Sequence, residues 1–205
     1  VFLDSANQIV VAGKAGLAAT TIADFAVARY QASTGALDPS FGNGAGWVTT
    51  HVGQGSWDGG TAAVPYPADA GEKILVGGYA QTKSSGGANQ NWALARYNGV
   101  GTLDTAFGGQ RPNAPGTVQT DLGTSMLYQE QVEDLLVDGE GRIVALGKLS
   151  SLVRYTPEGR LDTEFSSDGI VDVDFTPAAV ALTRDQSQIL VLGTRTVTTE
   201  DFVVA

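Results

Sequence analysis

Four short apolar segments, each beginning with isoleucine and ending with glycine, recur along the chain. They are the segments 9–13 (IVVAG), 74–78 (ILVGG), 143–147 (IVALG) and 189–193 (ILVLG). Their first residues lie about 46 to 69 residues apart, so loops of variable length separate the repeats. Self-similarity of this kind is typical of proteins that stack one supersecondary unit many times. The repeat therefore constrains the fold more strongly than any single motif.

Other short motifs accompany the isoleucine segments in a fixed order. Apolar segments that end in Arg-Tyr lie at 25–30, 92–97 and 152–155, and Leu-Asp-x-x-Phe turns lie at 37–42, 103–108 and 161–165. A weaker β segment follows each turn (47–50, 117–120, 170–173), and another precedes the isoleucine segment (62–64, 132–137, 178–182). Val, Ile, Thr and aromatic residues fill these segments, and none shows the 3.6-residue apolar period of a helix. The sequence therefore predicts an all-β protein.

One strand per segment gives four strands in each repeat, as in a blade of a β-propeller. We predict about four consecutive blades of a larger propeller, all in one domain. The predicted divisions are a partial blade at 1–46, blades at 47–97 (turn to 115) and 116–155 (turn to 169), and a truncated blade at 170–205. Because strands at the chain ends would lack a neighbour, we expect further blades of the same protein, or a partner protein, to cover them.

These motifs resemble the delta-60 repeat family. Its unit reads Asp-Gly-x-Ile-Val-Val-Ala-Gly, then Phe-Ala-Leu-Ala-Arg-Tyr, Leu-Asp-x-x-Phe-Gly and Gly-Val-Val-Thr-Thr. Segments 25–30, 37–42, 47–50, 92–97 and 103–108 follow it closely, whereas Ser166 replaces the turn glycine in the third repeat. The resemblance implies a bacterial propeller that is secreted, on the cell surface or in the periplasm. It supplies no catalytic residue and no cofactor.

Composition argues against several functional classes. A net charge of −10 and the lack of a basic patch argue against nucleic-acid binding. No apolar run approaches the ~20 residues of a membrane helix, so we expect no membrane span in this segment. The absence of cysteine excludes disulfides, thiolate metal sites and a cysteine nucleophile.

The repeated turn is predicted to be structural. Its Asp side chain accepts backbone N–H groups, and its Phe side chain fills the base of the blade. A motif present in every repeat does not form a single active site, and calcium binding by the Asp side chains is the alternative. These turn residues are Asp38, Asp104 and Asp162 with Phe41, Phe107 and Phe165.

An arginine precedes each turn Asp by 8 or 9 residues, with one turn between them. The sequence therefore predicts a bidentate Arg–Asp pair within each repeat; two separately solvated charges are the alternative. The arginines are Arg29, Arg96 and Arg154.

Three further polar residues are weak candidates for chemistry. Asp172 and Asp174 alternate with valines, so they would share one strand face, where a hard cation such as calcium could bind. A solvated outward face is the simpler interpretation of this pair. His51 is the only histidine, and no Gly-x-Ser-x-Gly elbow accompanies it, so we expect a surface or pocket-lining side chain. The sequence thus predicts no catalytic residue and no obligatory cofactor.

Loop lengths differ between the two ends of the predicted blades. Successive connections between antiparallel strands lie at opposite ends, so the repeated turns share one end (the turn face). The irregular segments 14–23, 53–60, 80–91 and 121–131 share the other end (the insertion face). Loops on a rigid scaffold often carry binding sites, and the candidates here are Trp57, Asp58, Met126 and Tyr128. We predict a protein-interaction or scaffold module; the alternative is a glycan-binding or glycan-processing propeller of sialidase or lyase type.

Overall fold

The structure is a computed structural model that describes residues 1–16, 22–53, 57–67, 71–84, 87–108, 115–123, 130–147, 150–196 and 200–204. These residues form β-strands and one short 3-10 turn at Gly42–Gly44. The strands are β1 Phe2–Leu3, β2 Ile9–Gly16, β3 Ala23–Tyr30, β4 Trp47–Thr50, β5 Asp58–Tyr66, β6 Lys73–Ser84, β7 Gly87–Tyr97, β8 Thr117–Thr120, β9 Val132–Val137, β10 Ile143–Gly147, β11 Ser151–Tyr155, β12 Ile170–Asp172, β13 Thr176–Leu182, β14 Ile189–Thr196 and β15 Glu200–Val204. The described part of the chain contains no helix that is long and apolar enough to cross a membrane.

The strands form four antiparallel sheets in chain order, which confirms the predicted all-β architecture of consecutive blades. Blade 1 is β1-β2-β3-β4, blade 2 is β5-β6-β7-β8, and blade 3 is β9 to β12 in the same meander order. Blade 4 comprises β13-β14-β15 in the described residues. Each sheet packs against the next one in the chain, as blades of a propeller do.

The sheets group the weaker strands differently from the division made on the sequence. That division placed 47–50 at the start of the second blade, whereas β4 is the last strand of blade 1. The turn before β4 reverses the chain, so that β4 returns antiparallel to β3, with Phe25 opposite Thr50 and Ala28 opposite Trp47. β8 and β12 likewise close blades 2 and 3.

Apolar side chains fill the spaces between successive blades. Alternate residues of β3, such as Phe25 and Val27, are buried against blade 2. The tyrosines of the second and third Arg-Tyr segments reach the last strand of the preceding blade: Tyr97 donates to Thr50 Oγ1 at 2.8 Å, and the hydroxyls of Tyr155 and Thr120 lie 2.8 Å apart. Burial raises the pKa of Tyr97 to about 12 and raises that of Tyr155 further. Both phenols therefore stay neutral inside the blade interfaces.

The Arg–Asp pair predicted for each repeat is confirmed. The arginine Nε lies 2.7 Å from Asp Oδ2 in repeats one and two and 2.6 Å in repeat three. The bidentate geometry is not found in these three pairs, and in the first two another guanidinium nitrogen reaches the next blade. Nη1 of Arg29 donates to the Gly99 carbonyl and Nη1 of Arg96 donates to the Pro157 carbonyl, each at 2.6 Å. In the first two repeats the Arg–Asp pair thus links neighbouring blades as well as closing its own turn.

The turn Asp side chains also hold the turn backbone. Oδ1 accepts the N–H two residues later in all three repeats, from Ser40, Ala106 and Glu164. The Ser40 N–H is the main cause that lowers the pKa of Asp38. Burial alone would raise the pKa of Asp104, but hydrogen bonds from Lys73 and Arg96 outweigh it and leave that pKa below its ordinary value.

The phenylalanine rings of the turns pack against the arginines. Phe41 and Phe107 are fully buried. The guanidinium carbons lie 4.5–5.0 Å from the centroids of Phe41, Phe107 and Phe165. Each repeated turn is therefore a closed unit of an aromatic ring, a carboxylate and a guanidinium.

Candidate functional site

The first three irregular segments meet at the insertion face. A parallel bridge joins Ala23, the last residue of the first segment, to Trp57 in the second. The N–H of Gln81, in the third, donates to the Trp57 carbonyl at 3.0 Å. The Gln119 side chain of β8 also donates to the Val52 carbonyl. Blades 1 and 2 are thus joined at this end by hydrogen bonds to the backbone of Val52 and Trp57.

Trp57 is exposed on this face. Its relative exposure is 43%, although Ala23 and Gln81 hold its backbone on two sides. The Lys14 ammonium lies 5.7 Å from the ring centroid, within the range of a cation–π contact. Met126 and Tyr128, the other apolar candidates, lie outside the described residues.

Asp58 is fully buried, unlike the exposed side chain that a contact residue needs. Its Oδ2 accepts the N–H groups of Val52 and Gly53, both at 2.8 Å, and its Oδ1 accepts the N–H of Gln81 at 3.1 Å. A buried carboxylate is tolerated only with such hydrogen bonds. Asp58 therefore fixes the connection from blade 1 to blade 2, and so supports the surface that Trp57 presents.

His51 lies between two carboxylates. Its Nδ1 is 2.9 Å from Asp24 Oδ1 and 3.4 Å from Asp58 Oδ2. The His51 side chain is 52% exposed, in line with the surface position expected from the sequence. One ligand atom from each of these residues lies within 4.8 Å of the others, so the three could hold a metal ion. The sequence did not connect them, because they belong to different strands and connections.

A buried acid recurs at the next blade junction and was missed in the sequence. Glu130 is fully buried, and the Leu122 N–H donates to its Oε2 at 3.3 Å, as Val52 N–H does to Asp58. The sequence contains a signal for it. Thr-His-Val-Gly at 50–53 and Thr-Asp-Leu-Gly at 120–123 are each followed by an acid near the start of the first strand of the next blade.

The structure separates Asp172 from Asp174. β12 ends at Asp172, so the two carboxylates do not share a strand face as expected. Ser151 Oγ lies 3.3 Å from Asp172 Oδ1, and Arg195 Nη2 lies 3.1 Å from Asp174 Oδ2.

Cavities lie between blades in the described part of the chain. One of about 430 Å³ runs along β8 between blades 2 and 3, beside Tyr155. The other, of about 610 Å³, lies at the turn face and is lined by Arg29 and Lys73. Those two cations are paired with Asp38 and Asp104, so their charges are already neutralised within the protein.

Comparison with known proteins supports the class of fold. Residues 7–41 and 73–107 match a family described as a "domain of unknown function (DUF5122) beta-propeller". The first match covers β2, β3 and the first repeated turn, and the second covers β6, β7 and the second turn. No curated protein matches the chain significantly. The fold and these matches define a β-propeller repeat protein.

Proposed function

We propose that this propeller is a non-enzymatic interaction module that binds a protein partner through its insertion face, with Trp57 as the anchor. The observation that carries the proposal is an exposed indole on a backbone held by two other segments. A rigid aromatic side chain loses little conformational entropy on binding, and tryptophan is enriched among residues that dominate binding energy. The buried Asp58 supports this position from below.

We also propose that the repeats are of the delta-60 type and that the protein acts outside the bacterial cytoplasm, where it serves as a scaffold. The order of the Arg-Tyr and Leu-Asp-x-x-Phe motifs supports the repeat type. The location rests on the resemblance alone. Fractionation of the source cells, with an antibody against the protein, would test it; a purely cytoplasmic signal would exclude it.

Glycan binding is the second candidate. The backbone bridge of Trp57 to Ala23 brings the exposed indole close to Asp24, whose side chain is 28% exposed. Sugar-binding sites combine an aromatic face, on which a sugar ring stacks, with polar groups for its hydroxyls. A glycan array probed with the purified protein would separate this candidate from a protein partner.

The experiment uses the two exposed tryptophans as a matched pair. Trp47 is 49% exposed and lies at the start of β4, at the turn face of the same blade. A photo-crosslinking residue at position 57, but not at position 47, should capture a discrete partner from a cell-surface extract. With that partner purified, Trp57→Ala should weaken binding by more than ~1 kcal/mol, about fivefold, while Trp47→Ala should not. Equal effects of both substitutions would refute the insertion-face assignment.

A further inference from the structure

We propose that Asp24, His51 and Asp58 bind one divalent transition-metal ion of the zinc class at the junction of blades 1 and 2. His51 Nδ1 faces both carboxylates, at 2.9 Å from Asp24 and 3.4 Å from Asp58. Asp24 lies at the start of β3, His51 directly follows β4, and Asp58 is the first residue of β5. One ion would therefore connect the two blades directly beside Trp57.

The two distances from His51 suit a small tetrahedral site, and all three ligand atoms lie within 4.8 Å of one another. Zinc bonds to imidazole nitrogen and carboxylate oxygen are about 2.0–2.2 Å long, which places the ligand atoms about 3.3–3.6 Å apart. The His51–Asp58 distance of 3.4 Å already fits, and the His51–Asp24 distance of 2.9 Å must lengthen by about half an ångström. An imidazole with two carboxylates favours zinc and its neighbours over calcium, which takes six to eight oxygen ligands.

Outer contacts hold the buried ligand in position. The N–H groups of Val52, Gly53 and Gln81 orient the Asp58 carboxylate. Hydrogen bonds of this kind fix metal-ligating side chains and are needed for high affinity. The solvent side stays open, because the His51 side chain is 52% exposed and Asp24 is 28% exposed. A metal bound there would keep a position for water or for a group of a bound partner.

An independent observation comes from Asn91. The residue is only 5% exposed, and its buried side-chain oxygen has no hydrogen-bond partner. Asp58 pairs with Ala80 and Ala80 pairs with Asn91, so Asp58 and Asn91 lie on one face of blade 2 with a small side chain between them. Strands lie about 4.8 Å apart, which sets the two Cα atoms about 10 Å apart. A metal-bound water at the Asp58 carboxylate would supply the donor that the Asn91 oxygen lacks.

Zinc titration of the chelator-stripped protein tests the proposal, by calorimetry at neutral pH and by the absorption of Co²⁺ as a spectroscopic substitute. We expect one ion per chain. Asp24→Asn and His51→Gln should each weaken zinc binding by about tenfold to a hundredfold, since each removes a ligand. Asp172→Asn is the matched control, because it removes the same charge in another blade and should leave zinc affinity unchanged. Far-ultraviolet circular dichroism confirms that each variant is folded.

The single histidine provides a second measurement that needs no variant. All imidazole signals in the NMR spectrum belong to His51. Stoichiometric zinc should shift these signals, whereas Mg²⁺ should not. The proposal is overturned if millimolar zinc leaves the His51 signals in place, or if the Asp24 and His51 variants bind zinc as tightly as the Asp172 control. The binding experiments with Trp57 can be run on metal-free protein. The partner proposal and the zinc proposal can therefore fail separately.

Discussion

Replacing Arg96 by alanine should lower the free energy of unfolding by about 3 to 4 kcal/mol. Arg96 and Asp104 are both buried, with side-chain exposures of 6% and 8%, and their atoms lie 2.7 Å apart. Removing one partner of a buried pair typically costs 3–5 kcal/mol, because the other charge is left behind. Here Lys73 still lies 2.7 Å from Asp104, which places the ionic contribution at the lower end of that range.

Other contacts of Arg96 add to the loss. Nη1 donates to the Pro157 carbonyl of blade 3, an interaction worth about 1 kcal/mol. The guanidinium also lies 4.5 Å from the ring centroids of both Tyr66 and Phe107, and alanine would leave the space between these rings unfilled. These contributions are not independent of the ion pair, so we expect a total near 4 kcal/mol at most.

Urea unfolding at neutral pH, followed by circular dichroism, measures the effect. Arg154→Ala is the comparison, because among the described residues its guanidinium contacts only Asp162 and the ring of Phe165. We expect Arg154→Ala to cost about half as much as Arg96→Ala. A loss below about 1 kcal/mol for Arg96→Ala would refute the buried-pair argument. So would a double-mutant cycle with Asp104→Ala that shows no coupling between the two side chains.

Three further predictions follow from the blade interfaces and turns. The pKa of Asp104 is lower in the folded than in the unfolded protein, so the ionised carboxylate stabilises the fold fully above about pH 4 and this stabilisation is lost as the pH falls through the folded pKa. When the midpoint of urea unfolding is plotted against pH, Asp104→Asn should therefore reduce its fall at acid pH. Neutral Tyr97 and Tyr155 contribute stability up to about pH 10 that is lost as the pH rises towards 12, so phenolate absorbance should show a late-ionising component that loses one tyrosine in Tyr97→Phe. Gly108→Ala should lower stability by about 2 kcal/mol or more, because φ is +86° and a Cβ would collide with the Thr117 carbonyl oxygen. Gly13→Ala, with open space around it, should be nearly neutral in the same urea unfolding assay.

The strands and turns could be predicted well from the sequence because residues close together within each repeat specify them. The Leu-Asp-x-x-Phe motif places an acceptor, a ring and a reversal of the chain within six residues, so three copies identify the turn without knowledge of its neighbours. The Arg–Asp pair is nearly as local, since one turn separates Arg96 from Asp104. Its geometry could not be predicted, because the Pro157 carbonyl that takes the second nitrogen lies in another blade.

The cluster around His51 shows where sequence reasoning ends. Asp24, His51 and Asp58 meet because the chain passes from β4, the last strand of blade 1, to β5, the first strand of blade 2. No spacing in the sequence specifies this connection. The repeated Thr-x-(Val/Leu)-Gly motif with its following acid would have indicated a buried Asp58 and Glu130. It would not have brought Asp24 to the site, since that contact depends on how β3 and β5 meet at the insertion face.

The two ends of the blades differ in how their polar groups are used, and this difference favours the insertion face as the functional surface. At the turn face the same residues recur in each repeat, and Arg29 and Arg96 are paired within the protein and linked to the next blade. At the insertion face the corresponding positions differ. His51 directly follows the last strand of blade 1, whereas Asp121 directly follows the last strand of blade 2. Residues that every blade needs for packing must recur, whereas one binding site needs a single constellation. The exposed indole of Trp57 and the His51 cluster are such singular features, and they lie together.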